Sequence, residues 1–214
     1  MEKLLLYIGY MIYIVLAMVA VWGAFCVVLV WRRVAQTRFR SEEDQMEFLD
    51  AMEQSLVAGE IDAVMQQCED DRRAMPQLAL LAIASRHLGY DKVRQLLADR
   101  FQRDVLSDLE YRVSWVNTVI KSAPMIGLLG TVIGMMGAFK ELSSGTEVDP
   151  AGMAETISFA LVTTACGLAI AIPLHLCVNG INVRIRKMED LVGSGLNRFL
   201  EVFKTVMGRG KGPP

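Results

Sequence analysis

The sequence predicts an all-α membrane protein: three transmembrane helices with long cytoplasmic helical extensions, homo-oligomeric around a central lumen. Three observations predict it. Of the 214 residues 53% are hydrophobic, and they are gathered into blocks instead of being spread at helical or strand periods. Basic residues are concentrated on one side of those blocks. Two of the blocks carry a face of small residues with a threonine at mid-span, which points to an assembled polar lumen more than to a pair of anchors.

The first span falls in 1–31. Leu4–Trp31 contains no charge and, at ~1.5 Å per residue, reaches about 42 Å, beyond the roughly 30 Å hydrocarbon core, so it tilts or overhangs. It is too long for a typical signal peptide and no A-x-A site follows it, so it is read as retained.

A cytoplasmic helical region is expected over 32–121. Ser41 with Asp44 has the form of a capping box for a helix ending before Gly59, Glu60–Asp71 gives a second short helix, and Pro76 opens a third that runs to Gly89. From Tyr90, apolar residues recur at helical spacing (Val93, Leu96, Leu97, Phe101, Val105, Leu109, Val113, Val116) without Pro or Gly until Pro124. That helix, about 50 residues and ~75 Å long, continues into the second span.

The second span is 122–139, SAPMIGLLGTVIGMMGAF, with Gly127, Gly130, Gly134 and Gly137 on one stripe and Thr131 as its mid-helix polar side chain. Little hydrophobic force acts between helices in lipid, so such a stripe marks close packing against a neighbouring helix. A bulky residue at Gly134 is therefore expected to weaken the oligomer. A loop follows over 140–154, and the third span, 155–183, has Ala160, Thr164, Gly167 and Ala171 on one face. Residues 184–214 read as a cytoplasmic helix to Met207 and a disordered tail from Gly208.

Charge orients the spans. Arg32, Arg33, Arg38 and Arg40 follow the first, Lys121 precedes the second, and Arg184, Arg186 and Lys187 follow the third, whereas Glu141, Glu147 and Asp149 make the intervening link acidic. The positive-inside rule places the N-terminus and the 140–154 loop in the periplasm and the C-terminus in the cytoplasm.

A net charge of −2 offers no basic surface for nucleic acid. Cys26, Cys166 and Cys177 lie in apolar spans and Cys68 in the cytoplasmic region; none has metal-ligand spacing, and all four read as packing residues. His87 and His175 are too far apart in this topology to share a metal, and the chain carries no phosphate loop, H-E-x-x-H, G-x-S-x-G or paired catalytic carboxylates. Nothing here argues for an enzyme or a bound cofactor.

Translocating an ion across hydrocarbon requires titratable or coordinating groups facing a lumen. This chain places no carboxylate at mid-membrane. The ion-binding carboxylate of such a channel must then come from a partner.

APMIGLLGTVIGMMGAF, followed after an acidic loop by GMAETISFALVTTACGLAIAIPLHLCVN, resembles the two signature spans of the MotA/TolQ/ExbB proton-channel family, closest to ExbB and TolQ. The upstream AGEIDAVMQQCEDDRRAMPQLALLAI is similar to that family's cytoplasmic segment. The resemblance implies a homopentamer in the bacterial inner membrane around a dimer of a single-span ExbD/TolR-type partner, with a TonB/TolA-type energy transducer beyond. Protons are the transported ion, lipid surrounds the assembly, and the work is mechanical.

By the same resemblance Thr131 and Thr164 face the partner's aspartate, whose ionised form a hydroxyl can donate to and whose protonated form it can accept from. Threonines in membrane helices also bond their own i−4 carbonyl, so plain packing is the competing reading. Thr163, roughly 100° around the helix, ranks below Thr164. Phe159 stands where many relatives carry a glutamate, and Glu155, about one turn earlier, is either an entry-site carboxylate or a solvated acid at a helix start. His175 is either a proton-exit group or a neutral histidine bonded to a neighbouring helix. Pro173 is expected to kink the third span, and Lys121 either snorkels to headgroups or lines an inner vestibule. A sodium-driven stator and a non-transporting membrane scaffold stay open as rivals.

Overall fold

The charge-free run that opens the chain forms α1, Glu2–Thr37, in the computed structural model, which describes residues 2–143 and 150–209. Thr37 ends α1 by donating its hydroxyl back to the Arg33 carbonyl at 2.8 Å. Helix α2, Glu42–Ala58, starts on the expected reciprocal cap: the Ser41 hydroxyl accepts from the Glu43 N–H at 3.3 Å, and the Asp44 carboxylate accepts from the Ser41 N–H at 3.1 Å. Gly59 closes it at φ 81°, a left-handed position that costs glycine little.

Helix α3 spans Ile61–Glu69 and α4 spans Ala74–Ala84. The latter corrects the expected third helix at both ends. Pro76 lies within its first turn, where a missing N–H costs nothing, and the helix stops at Ala84. A short 3₁₀ turn, Arg86–Leu88, then leads to Gly89 at φ 88°.

From Tyr90 the chain is helical to Ser143, but not as one uniform α-helix. Helix α5, Tyr90–Arg100, passes into a π-turn, Phe101–Leu106, before α6, Ser107–Ser143. Helix α7 is a single run from Pro150 to Arg209 and continues through Pro173 without a break. The expected segment boundaries at 121/122, 139/140 and 183/184 thus fall inside continuous helices. The tail expected to be disordered is helical at Gly208 and Arg209; residues 210–214, and loop residues 144–149 with Glu147 and Asp149, lie outside the described residues. Among the described residues three helices are long and apolar enough to cross a membrane.

The chain divides into two compact units, and α1, α6 and α7 contribute to both. One comprises Met1–Leu29 and Arg112–Gly180, the three apolar helices. Many of its large apolar side chains face outward: Val21, Trp22, Phe25, Met125, Leu129, Phe139, Leu161 and Leu176 are all exposed, as lipid or a neighbouring helix requires. The other comprises Val30–Tyr111 and Ile181–Pro214, with a core of Met52, Leu56, Val64, Met75, Leu97, Phe199 and Leu200.

In this second unit Gln45 Nε2 donates to the Leu191 carbonyl at 2.6 Å, and a Cβ on Gly195 would lie 2.6 Å from that same nitrogen. Arg198 reaches both Asp50 (2.5 Å) and Glu53 (2.8 Å) from α7, while the Arg184 guanidinium sits 3.9 Å over the Trp31 ring. Arg73 stacks 3.9 Å from the Phe39 ring centroid and pairs with Asp71.

Candidate ion-pathway site

Glycines let α6 and α7 meet backbone to backbone. A Cβ on Gly127 would lie 2.7 Å from the Thr163 carbonyl oxygen and 2.9 Å from Thr164 Cα, and one on Gly167 would lie 2.6 Å from the Ala123 carbonyl oxygen. Gly130 likewise abuts the Thr163 side chain and Gly134 the Ala160 methyl. Contacts of 134 with 160, 130 with 163, 127 with 164 and 123 with 167 run in opposite directions along the two helices, which are therefore antiparallel. The missing side chain of Gly134 makes room for Ala160 of the same chain. Ala160 and Ala171 are buried on the α7 side, Gly137 is buried on α6, and Pro173 is exposed.

Close approach brings three hydroxyls together. Thr131 Oγ1 donates to the Leu128 carbonyl at 2.7 Å, and Thr164 Oγ1 donates across the interface to the Gly127 carbonyl at 3.0 Å. The two oxygens are 3.4 Å apart. Thr163 Oγ1 has the Ala160 carbonyl at 2.7 Å and the Gly127 carbonyl at 3.1 Å. It is 1% exposed, shut between the helices, whereas Thr164 is half-buried and Thr131 is 8% exposed. With one proton apiece, Thr131 and Thr164 directed at carbonyls both keep lone pairs available.

The remaining candidates are not gathered here. Glu155, His175 and Lys121 are exposed, and His175 makes no hydrogen bond among the described residues. Nine residues along α7 separate Glu155 from Thr164, and eleven separate Thr164 from His175, or about 14 Å and 16 Å of helix. Lys121 stands about 15 Å along α6 from Thr131. Among the described residues no group of His, Cys, Asp and Glu is placed to hold a metal.

Sequence reasoning missed the part played by α1. Tyr13 donates its hydroxyl to the Phe159 carbonyl at 3.2 Å, and its ring meets the Phe159 ring edge-on at 4.9 Å, with Tyr10 at 6.2 Å. Gly23 admits Leu174 and Val119, whose methyls would lie 2.7 and 2.8 Å from a Cβ there. Tyr10 and Tyr13, three apart in an otherwise mostly aliphatic run, were the available signal.

A sequence profile described as the MotA/TolQ/ExbB proton channel family matches residues 32–193. The Tol-Pal system protein TolQ of Haemophilus influenzae is 37% identical over 111 residues, which cover 50% of this chain and 47% of that protein. The biopolymer transport protein ExbB of Helicobacter pylori is 34% identical over 115 residues, covering 53% of this chain and 76% of that protein. The TolQ of Pseudomonas aeruginosa is 34% identical over 101 residues, covering 47% and 42%. The chain thus spans about half the length of the TolQ relatives it matches.

Proposed function

The chain belongs to the MotA/TolQ/ExbB proton channel family, and from that premise we propose that it is a proton-channel stator subunit of the bacterial inner membrane. In this reading a homopentamer surrounds the single-span dimer of an ExbD/TolR-type partner. Proton flow past the partner's aspartate then turns one against the other, and a TonB/TolA-type transducer takes the work to the cell envelope. The N-terminus is periplasmic and the C-terminus cytoplasmic, as the basic flanks support.

The observation that carries the reading is the Thr131–Thr164 hydroxyl pair, held 3.4 Å apart by glycine-mediated contact of two apolar helices. Each hydroxyl donates to a carbonyl that, inside a continuous helix, already takes the N–H four residues on. Turning a hydroxyl away therefore leaves no carbonyl orphaned. Toward a protonated partner carboxyl the pair offers lone pairs; toward the ionised form either hydroxyl swings and donates. Two states of similar cost suit a group that must gain and lose a proton in every cycle.

Valine keeps threonine's shape without the hydroxyl. Thr131→Val and Thr164→Val leave a partner carboxylate short of donors, a cost of about 1–3 kcal/mol. The expected result is loss of energy-dependent output in cells with assembly and partner co-purification intact, and partial output with serine at either site. Full output from the double valine variant returns the chain to the scaffold reading.

A further inference from the structure

Five apolar residues of the α5–α6 rod stand at strict four-residue spacing: Val93, Leu97, Phe101, Val105 and Leu109. An α-helix turns every 3.6 residues, so each such step drifts by about 40°, and Phe101 and Leu109 would point about 80° apart. Both are nevertheless buried, at 8% and 1% exposure. The π-turn Phe101–Leu106 lies between them and winds one surplus residue into the path, so that eight residues complete two turns.

The uniform spacing has a further effect. With an apolar residue at every fourth position, the surplus can sit in its present place, between Phe101 and Val105, or in the turn before Leu109. Either placement keeps Phe101 and Leu109 in line and turns only the half-buried Val105 and its neighbours. The sequence therefore gives the surplus no unique home.

We propose that this π-turn is a register joint, whose surplus residue migrates between 101 and 109 and so slides and turns the intervening helical segment by one residue. One step amounts to about 1.5 Å and 100°. Two ion pairs bias the present placement: Arg100 with Asp104 at 2.5 Å, across the turn itself, and Arg33 with Asp108 at 3.2 Å, just beyond it. Both are substantially exposed, and exposed pairs contribute little, so they bias the joint without locking it. Val93 and Leu97 above it and Leu109 below it are almost fully buried and serve as fixed ends.

The test uses the full chain in its assembly, reconstituted in lipid nanodiscs, with hydrogen exchange resolved by residue. Amides of 101–109 are expected to exchange at least about tenfold faster than those of 93–97, as for any segment that opens locally. Deleting exposed Gln102 leaves seven residues from Phe101 to Leu109, two ordinary α-turns, and should bring that exchange down to the flanking rate. Arg100→Ala removes one bias and should speed it. Equal protection of 101–109 and 93–97 in the unaltered protein overturns the joint, and so does unchanged exchange in Arg100→Ala, whatever the deletion does to assembly. The role of the joint in coupling rests on the stator reading: loss of output in the Gln102 deletion with assembly retained supports it, and full output overturns it. A wild-type protein with no energy-dependent output sinks the stator reading and leaves the exchange result standing.

Discussion

Thr163 and Thr164 are neighbours in sequence, yet both direct their hydroxyls at the same acceptor, the Gly127 carbonyl on the facing helix, at 3.1 and 3.0 Å. They differ in what else they meet. Thr163 is sealed at 1% exposure with the Ala160 carbonyl as its second acceptor, and Thr164 lies beside Thr131 at the edge of the interface. One residue of helix, about 100°, separates a threonine sealed between the helices from one left half-open at their edge.

That difference predicts opposite consequences for one substitution. Thr163→Val should cost about 1 kcal/mol of stability through lost hydrogen bonds while leaving output near normal. Thr164→Val should do the reverse. Thermal unfolding in detergent beside output in cells separates them, and equal loss of output from both would mean the hydroxyls act as one packing unit.

The glycines divide in the same way. Gly127 faces backbone atoms of Thr163 and Thr164 that cannot retreat, so Gly127→Ala should destabilise the helix pair by about 1–3 kcal/mol. Gly180 and Gly193, inside α7, have nothing within 4 Å of a Cβ position. Alanine at either should stabilise the helix by about 0.5–1 kcal/mol. Unfolding transitions of the three variants check the order, and the oligomer should fail with Gly127→Ala only when the chain itself loosens.

Much of this architecture was legible because membrane physics writes it plainly. Length of apolar run, basic flanks and the Ser41–Asp44 cap gave the helices, and a stripe of glycines gave a close contact. The stripe could not say with whom: a smooth helix face fits a helix of its own chain or of another equally well, and Ala160 of the same chain fills the place opposite Gly134. The π-turn was written in the four-residue spacing from Val93 to Leu109, a period too long for an α-helix and easily read as merely helical. The Tyr13–Phe159 contact joins residues 146 apart in sequence, and no local pattern encodes a pairing of that kind.

Cys68 is fully buried on the inner face of α3, and burial, with the nearby Asp71 charge, pushes its thiol up to about 11. An acid group whose pKa is raised on folding contributes stability below its unfolded value near 9 and loses it as pH climbs toward 11. Stability should therefore fall across that alkaline window, and Cys68→Ala should remove this part of the slope. An identical slope in the alanine variant would assign it to other groups. The opposite sign holds for Asp71: burial works against its charged form, but hydrogen bonds from Arg73 and the Arg73 charge outweigh it and hold the carboxyl below its usual range. Its stabilisation is present above the unfolded value and fades as pH falls through the folded one.

Orientation is the last expectation, and the chemistry of Cys68 decides how it must be tested. An impermeant maleimide reacts with thiolate, so native Cys68 stays unlabelled from either side of the membrane and reports nothing about topology. The informative pair is Ser144→Cys, in the link between α6 and α7, and Asp70→Cys, on the exposed turn after α3. With Arg32, Arg33, Arg184, Arg186 and Lys187 held on the cytoplasmic side, reagent added to intact cells should label position 144 and spare position 70. Permeabilising the inner membrane should then expose position 70 while leaving Cys68 unreactive until the protein unfolds. Labelling of position 70 in intact cells, with position 144 protected, would invert the topology, place the basic flanks outside, and remove the directional basis for proton entry from the periplasm.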